Sequence, residues 1–167
     1  ELVIYKAPLK DNCLVRIHSE CFTSEVLGSL RCDCNDQLQT SMSLINKRGG
    51  MIIYLRQEGR SLGLKNKLRS YELQDRGKDT IQANAHLDLP IDAREYYAAY
   101  QILKTFRLSS IRLLTNNPAK TIELESFGIK VTPLTLQSIP NKHNIGYIKT
   151  KEQKMGHASN VNRLMFI

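Results

Sequence analysis

Three cysteines near the start of the chain carry the clearest chemical signal. Cys21, Cys32 and Cys34 lie in the stretch CFTSEVLGSLRCDC, a C-x10-C-x-C spacing. Two thiolates separated by one residue can approach one ion, and a third can reach it from across a loop. Three protein ligands leave the fourth zinc position to water, the arrangement of catalytic zinc sites. Zinc lowers the pKa of that water to about 7 and so supplies a hydroxide nucleophile at neutral pH. The same residues would also serve as small buried apolar side chains or a redox pair, and C-x-C spacing alone does not separate the readings. Cys13 would close a four-thiolate structural site, but it sits inside an alternating apolar strand, where a core role is expected.

A second constellation suits phosphate. Asn116-Asn117-Pro118 follows a strand-like run, with Asn117 suited to a helix N-cap and Pro118 to the first helical position. Thr115 and Lys120 bracket that turn, whose backbone N–H groups form an anion site to which the lysine adds a point charge. Further along, Asp92-Ala93-Arg94-Glu95 has the acid-to-acid spacing of a helix-capping box. The four histidines, His18, His86, His143 and His157, have no catalytic role that spacing reveals; each is expected to be exposed or to have its hydrogen bonds satisfied.

The elements that must position these groups follow from periodicity. Leu38, Met42 and Ile45 recur at helical spacing up to Gly49-Gly50, and Met51–Leu55 reads as a buried strand followed by the polar loop 56–60. A second helix is predicted from about Ser61 to Asp75, with Leu64, Leu68 and Tyr71 on an apolar side and Gly77 past its end. A third is predicted from near Asp92, carrying Tyr96, Tyr100, Leu103 and Phe106. Ser110–Thr115, a helix ending at Gly128, and Ile129–Thr132 form a βαβ unit. The tail after Ile139 is polar, with a periodic signal only near Lys149–Met155. The predicted class is α/β: a single mixed domain over 1–167, with a central sheet flanked by helices and a three-cysteine zinc site.

Composition bounds the function only loosely. The 167 residues are 41% hydrophobic and 24% charged, ordinary for a globular chain with its own core. The longest apolar runs are about five residues, far below the ~20 that cross a bilayer, and a cytoplasmic location is expected. The chain opens at Glu1 in a strand-like stretch, which leaves room for a leading segment or a preceding domain. The cysteines crowd into the first fifth of the chain, unlike a secreted disulfide framework. The net charge of +8 points to an anionic partner, and both a nucleotide and nucleic acid satisfy it. A basic zinc-binding nucleic-acid module is therefore a rival reading, although no finger, knuckle or RNP pattern is present.

The strings RIHSEC, SLRCDC, YLRQEGR, LQDRGKDTIQAN, RLLTNNPAK and TKEQKMGH, in this order, resemble GTP cyclohydrolase II, and the match runs from Val15 to His157. The resemblance implies a homodimeric α/β enzyme that converts GTP to 2,5-diamino-6-(5-phosphoribosylamino)pyrimidin-4(3H)-one, formate and pyrophosphate, the first committed step of riboflavin biosynthesis. It implies zinc at Cys21, Cys32 and Cys34 and Mg²⁺ on the triphosphate. It further implies Tyr71 as a proton donor, Asp92 as a base and Arg94 as a nucleophile. A guanidinium keeps its proton above pKa ~12, so charge stabilisation is the easier role for Arg94. The GTP-binding residues implied are Arg16, Ile17, His18, Ser19, Glu20, Gln37, Glu58, Gly59, Arg60, Thr80, Thr115 and Lys120, with Glu20 and Glu58 both candidates for reading guanine. Ser24-Glu25, Asn35 and Ser61 depart from the family pattern, which commonly has Gly-Asp, Gly and Gly there. A relative that stops at the formylated intermediate, or that lacks catalysis, is the nearer alternative.

Overall fold

The structure, a computed structural model, describes residues 1–137 and 139–157. Its centre is a five-stranded sheet in the order β1-β3-β2-β4-β5, built from β1 (Leu2–Lys6), β2 (Cys13–Ser19), β3 (Gly50–Leu55), β4 (Ser110–Leu114) and β5 (Lys130–Leu134). Strands β3, β2, β4 and β5 run parallel, and β1 closes one edge antiparallel to β3. Parallel strands need crossovers, and here the crossovers are helices, so both faces of β2 and β3 are covered and buried.

Side chains alternate across each strand, and that alternation divides the core in two. Val15 and Ile17 of β2, with Met51, Ile53, Ile111 and Leu113, pack against Tyr96, Ala99, Leu103 and Leu124. On the other face Leu14, Ile52 and Leu114 meet Ile45 and Leu136. Arg16 and His18 share the parity of Leu14, so they point to the second face and are buried there.

The helices are α1 (Phe22–Glu25), α2 (Cys34–Arg48), α3 (Gly63–Asp75), α4 (Thr80–His86), α5 (Tyr97–Thr105), α6 (Pro118–Ser126) and α7 (Ile145–Met155). The βαβ unit β4-α6-β5 forms as its sequence predicts, with Asn117 Oδ1 accepting from Ala119 N at 3.0 Å and Pro118 in the first turn. The helix expected from Asp92 begins at Tyr97 instead, with Tyr96 at its N-cap. Asp92 caps no helix: its carboxylate accepts from Arg94 N at 3.1 Å and from the Arg94 side chain. The apolar side expected of α3 is also absent: Leu68 is 50% exposed, and the buried residue is Ser70, bonded to Asn84 Oδ1 of α4 at 2.9 Å. Helix α4 was not anticipated, although Asp79 and Gln82 form the reciprocal capping box that their spacing allows.

The departures from the family pattern fall where they can be read. Ser24 is buried, and its Oγ accepts from Asn35 N at 3.3 Å, so two of the departures touch each other. Ser61 lies at φ 66, directly after Arg60 at φ 61, in the left-handed region that glycine enters at no steric cost. Ser61→Gly is therefore expected to raise stability by about 0.5–1 kcal/mol, read as a higher denaturation midpoint at unchanged m-value. A drop in the midpoint would show that the Ser61 side chain outweighs its backbone strain.

Candidate active site

The C-terminal ends of β2, β3 and β4 open into one cavity, the usual place for ligands in parallel sheets. Cys21 follows β2 directly, Cys32 precedes α2, and Cys34 is the first residue of α2. Their sulfurs lie within 4.8 Å of one another, with Cys21 and Cys32 3.6 Å apart, and all four cysteines are free thiols. Two sulfurs about 2.3 Å from a tetrahedral ion stand about 3.8 Å apart, so the set fits zinc. Hydrogen bonds from Cys32 and Cys34, with the Lys67 cation, draw Cys21 far below its usual pKa, while Cys34 is pushed up by the same neighbours and by burial. Cys13 lies at the far end of β2 and packs against the core.

A cation and a carboxylate flank the sulfurs. Lys67 Nζ of α3 donates to Cys21 Sγ at 3.0 Å and to Glu58 Oε1 at 2.8 Å. Glu58 also accepts from Phe22 N and Gly59 N, both at 2.6 Å. Gly59 is required there: at φ 60, a Cβ would stand 2.8 Å from the Gly63 carbonyl oxygen. Tyr71, the residue after the Ser70 that fixes α3 on α4, reaches the cavity with its hydroxyl 3.3 Å from Thr23 Oγ1. The Arg31 guanidinium lies 4.9 Å from its ring centroid. Burial raises the pKa of Tyr71, so the phenol holds its proton.

The rest of the cavity is strongly basic. Arg16 is buried, donating to Leu114 O at 2.9 Å and Gln37 Oε1 at 2.7 Å; burial brings it down to about 10, still a cation at neutral pH. Gln37 passes the contact on to Asp33 Oδ2 at 2.6 Å, and Asp33 Oδ1 accepts from Lys151 Nζ at 3.2 Å. Lys120 Nζ is buried and donates to Ile17 O at 2.7 Å. Burial, then the charges of Arg16, Arg94 and Lys151, push Lys120 well below its usual value. Arg94 is gripped by Asp92, with Nε 2.8 Å from Oδ1 and a second short contact to Oδ2. Burial opposes ionisation of Asp92, yet the Arg94 hydrogen bonds and charge leave it lowered.

His18 shows how its tautomer is set. The Arg16 guanidinium can only donate, and its NH2 lies 3.4 Å from Nδ1, so Nδ1 accepts and Nε2–H donates to Glu25 Oε1 at 2.7 Å. Glu25 accepts in turn from Tyr54 at 2.5 Å. Burial holds the His18 ring neutral, down to about 4.

Among the residues expected at the site, the cavity gathers Arg16, His18, Ser19, Glu20, Gln37, Glu58, Gly59, Arg60, Tyr71, Thr80, Arg94, Thr115 and Lys120 with the three cysteines. Asp92 stands behind Arg94. Ile17 turns its side chain to the opposite core face and offers its carbonyl to Lys120. Sequence reasoning missed Lys67, Arg31, Tyr147, Lys151 and His157 as lining residues. His157 is neither exposed nor satisfied, since its buried Nε2 has no hydrogen-bond partner among the described residues.

Comparison with known proteins agrees with this geometry. A model of the family GTP cyclohydrolase II matches residues 1–135. The chain is 48% identical over 163 residues to GTP cyclohydrolase-2 of Campylobacter hominis, covering 97% of this chain and 83% of that protein. It is 49% identical over 156 residues to the GTP cyclohydrolase-2 of Helicobacter pylori P12 (93% and 81%) and 50% identical over 152 residues to that of Picrophilus torridus (89% and 78%).

Two outcomes follow from the geometry. Zinc is expected at one ion per chain by elemental analysis, and Cys32→Ser should lose most of it; a full complement of zinc in that variant would rule out this ligand set. The folded pKa of His18 is depressed, so the unfolded chain binds the extra proton: stability is full above about pH 6.5 and falls as pH drops toward 4. Denaturant titrations at pH 7 and 5 should differ by about 2 kcal/mol from this group, a difference that His18→Gln should largely remove.

Proposed function

We propose that this chain, which belongs to the GTP cyclohydrolase II family, hydrolyses GTP to 2,5-diamino-6-(5-phosphoribosylamino)pyrimidin-4(3H)-one, formate and pyrophosphate, as the first committed step of riboflavin biosynthesis. The observation that carries this is the meeting, in one cavity, of three sulfurs spaced for an ion with a buried basic region suited to a polyphosphate. Zinc held by Cys21, Cys32 and Cys34 would supply the Lewis acid that activates water against C8 of guanine.

The chain's own residues divide the remaining work. Tyr71, a protonated phenol in the same cavity as the sulfurs, is the proton donor to the opening ring. Glu20 is the better reader of the guanine N1–H and 2-amino group. Its rival Glu58 already accepts from Lys67, Phe22 and Gly59, whereas the only ion-pair partner of Glu20 among the described residues is Arg56 at 3.8 Å. Arg94 acts as a charge stabiliser for the departing pyrophosphate: the Asp92 carboxylate raises its pKa further and makes a deprotonated, nucleophilic guanidine costly. Lys120 and the N-terminus of α6 complete the anion site, with Mg²⁺ on the triphosphate. The active form we propose is a cytoplasmic homodimer. The exposed apolar residues Leu2 and Ile4 on the β1 edge and Val26, Leu27 and Leu30 offer surface for such an interface.

The test is a product balance. GTP incubated with the zinc-loaded protein should yield formate, pyrophosphate and the ultraviolet absorbance of the diaminopyrimidine, all abolished by a chelator. Tyr71→Phe should still release pyrophosphate while formate falls by roughly 10²-fold or more. Equal loss of both products would remove Tyr71 from the ring-opening step, and wild-type protein that forms neither would defeat the assignment.

A further inference from the structure

Three cavity residues, Tyr147, Lys151 and His157, come from α7 and the turn after it, beyond the residues that the family model matches. None of them is used by the chemistry above. Gly156 takes a left-handed conformation, φ 62, and turns the chain so that His157 N donates back to Lys151 O at 3.2 Å. The same turn packs on the start of α6: a Cβ on Gly156 would stand 4.0 Å from Pro118 Cγ. The end of α7 is thereby fixed beside the helix terminus that Asn117 caps and from which Lys120 projects.

The polar groups there are disposed for an anion. His157 Nε2 is buried with no partner among the described residues, an arrangement that is costly unless a ligand supplies one. Burial, followed by the charges of Lys151, Arg94, Lys120 and Arg60, drives the ring down to about 3. The imidazole is thus neutral and set among cations that repel one another. Lys151 Nζ lies 3.2 Å from Asp33 Oδ1 and 4.2 Å from the Tyr147 ring centroid. An ammonium carries three N–H donors, of which Asp33 and Tyr147 engage two.

We infer that Lys151 and His157 bind the phosphate chain of the substrate, forming with the α6 N-terminus and Lys120 a two-sided polyphosphate site. This rests on the substrate reading above, which names the polyanion but gives α7 no part in holding it. The cations of α7 and α6 then relieve their mutual repulsion only when the phosphates lie between them.

The experiment is equilibrium binding of GTP and of GMP to the full chain and to Lys151→Met and His157→Ala. Each substitution should weaken GTP by roughly tenfold or more and GMP by less than about threefold. His157→Gln, which keeps an N–H donor and nearly the same volume, should recover part of the loss, and it carries the test if His157→Ala melts early. GTP affinity within about twofold of the parent in both variants, or equal losses for GTP and GMP, would overturn the inference. A parent chain that binds neither nucleotide would sink the substrate reading, and a parent that binds GTP while the variants bind it equally well would sink only the role of α7.

Discussion

Like charge held out of water is the constraint around which this molecule is arranged. Arg16 and Lys120 are buried and Lys151 half-buried at the C-terminal edge of the parallel strands, close enough that Arg16 and Lys151 disfavour the ionised form of Lys120. Removing even one charge from water costs several kcal/mol in effect unless it is paired. The fold offsets this with fixed acceptors. Leu114 O and Gln37 take Arg16, Ile17 O takes Lys120, and Asp33 takes Lys151. Two of those acceptors are carbonyls of β2 and β4, which only a sheet of this topology presents at one edge. The repulsion that remains is what a polyanion bound there, as proposed above, would relieve.

The thiol cluster is the negative counterpart, and the two are joined covalently and by hydrogen bonds. Asp33 sits between Cys32 and Cys34 and accepts from both Gln37 and Lys151. The loop that shapes the sulfur set is thus held by the same residues that hold the phosphate-side cations. On the other flank, Glu58 accepts from the backbone beside Cys21 while it orients Lys67 onto the Cys21 sulfur. A shift of either loop would disturb sulfur spacing and cation placement together.

Much of this was legible in the residues. The βαβ unit, Asn117 as cap and the clustering of the three cysteines are signals local in sequence, and they formed as read. What failed was the apolar side expected of α3, while the buried strand Met51–Leu55 and the core positions Tyr96 and Leu103 held. Helix α3 turns Lys67 and Tyr71 toward the cavity and Ser70 toward α4, leaving Leu68 exposed, because the partner on that side is polar. Asp92 looked like a cap because spacing cannot reveal that an arginine two residues on will take its carboxylate. Lys151 and His157 were hidden for a related reason. Their placement depends on α7 returning to Asp33 and to Pro118 at the start of α6, long-range contacts that no local period encodes.

The choice between Glu20 and Glu58 shows what the structure adds to a list of candidates. Both line the cavity, both have the right chemistry, and sequence gives no ground to prefer either. Glu58 has its two oxygens occupied by an ammonium and two backbone N–H groups at 2.6–2.8 Å. Turning it toward guanine would break three short hydrogen bonds, two of them part-buried, to form one new pair. Glu20 faces a long contact to an exposed arginine and loses little by changing partner. On the reading proposed above, guanine recognition would fall to the carboxylate that the fold leaves least committed, and Glu58 is the brace that holds Lys67 and the Cys21 loop in place.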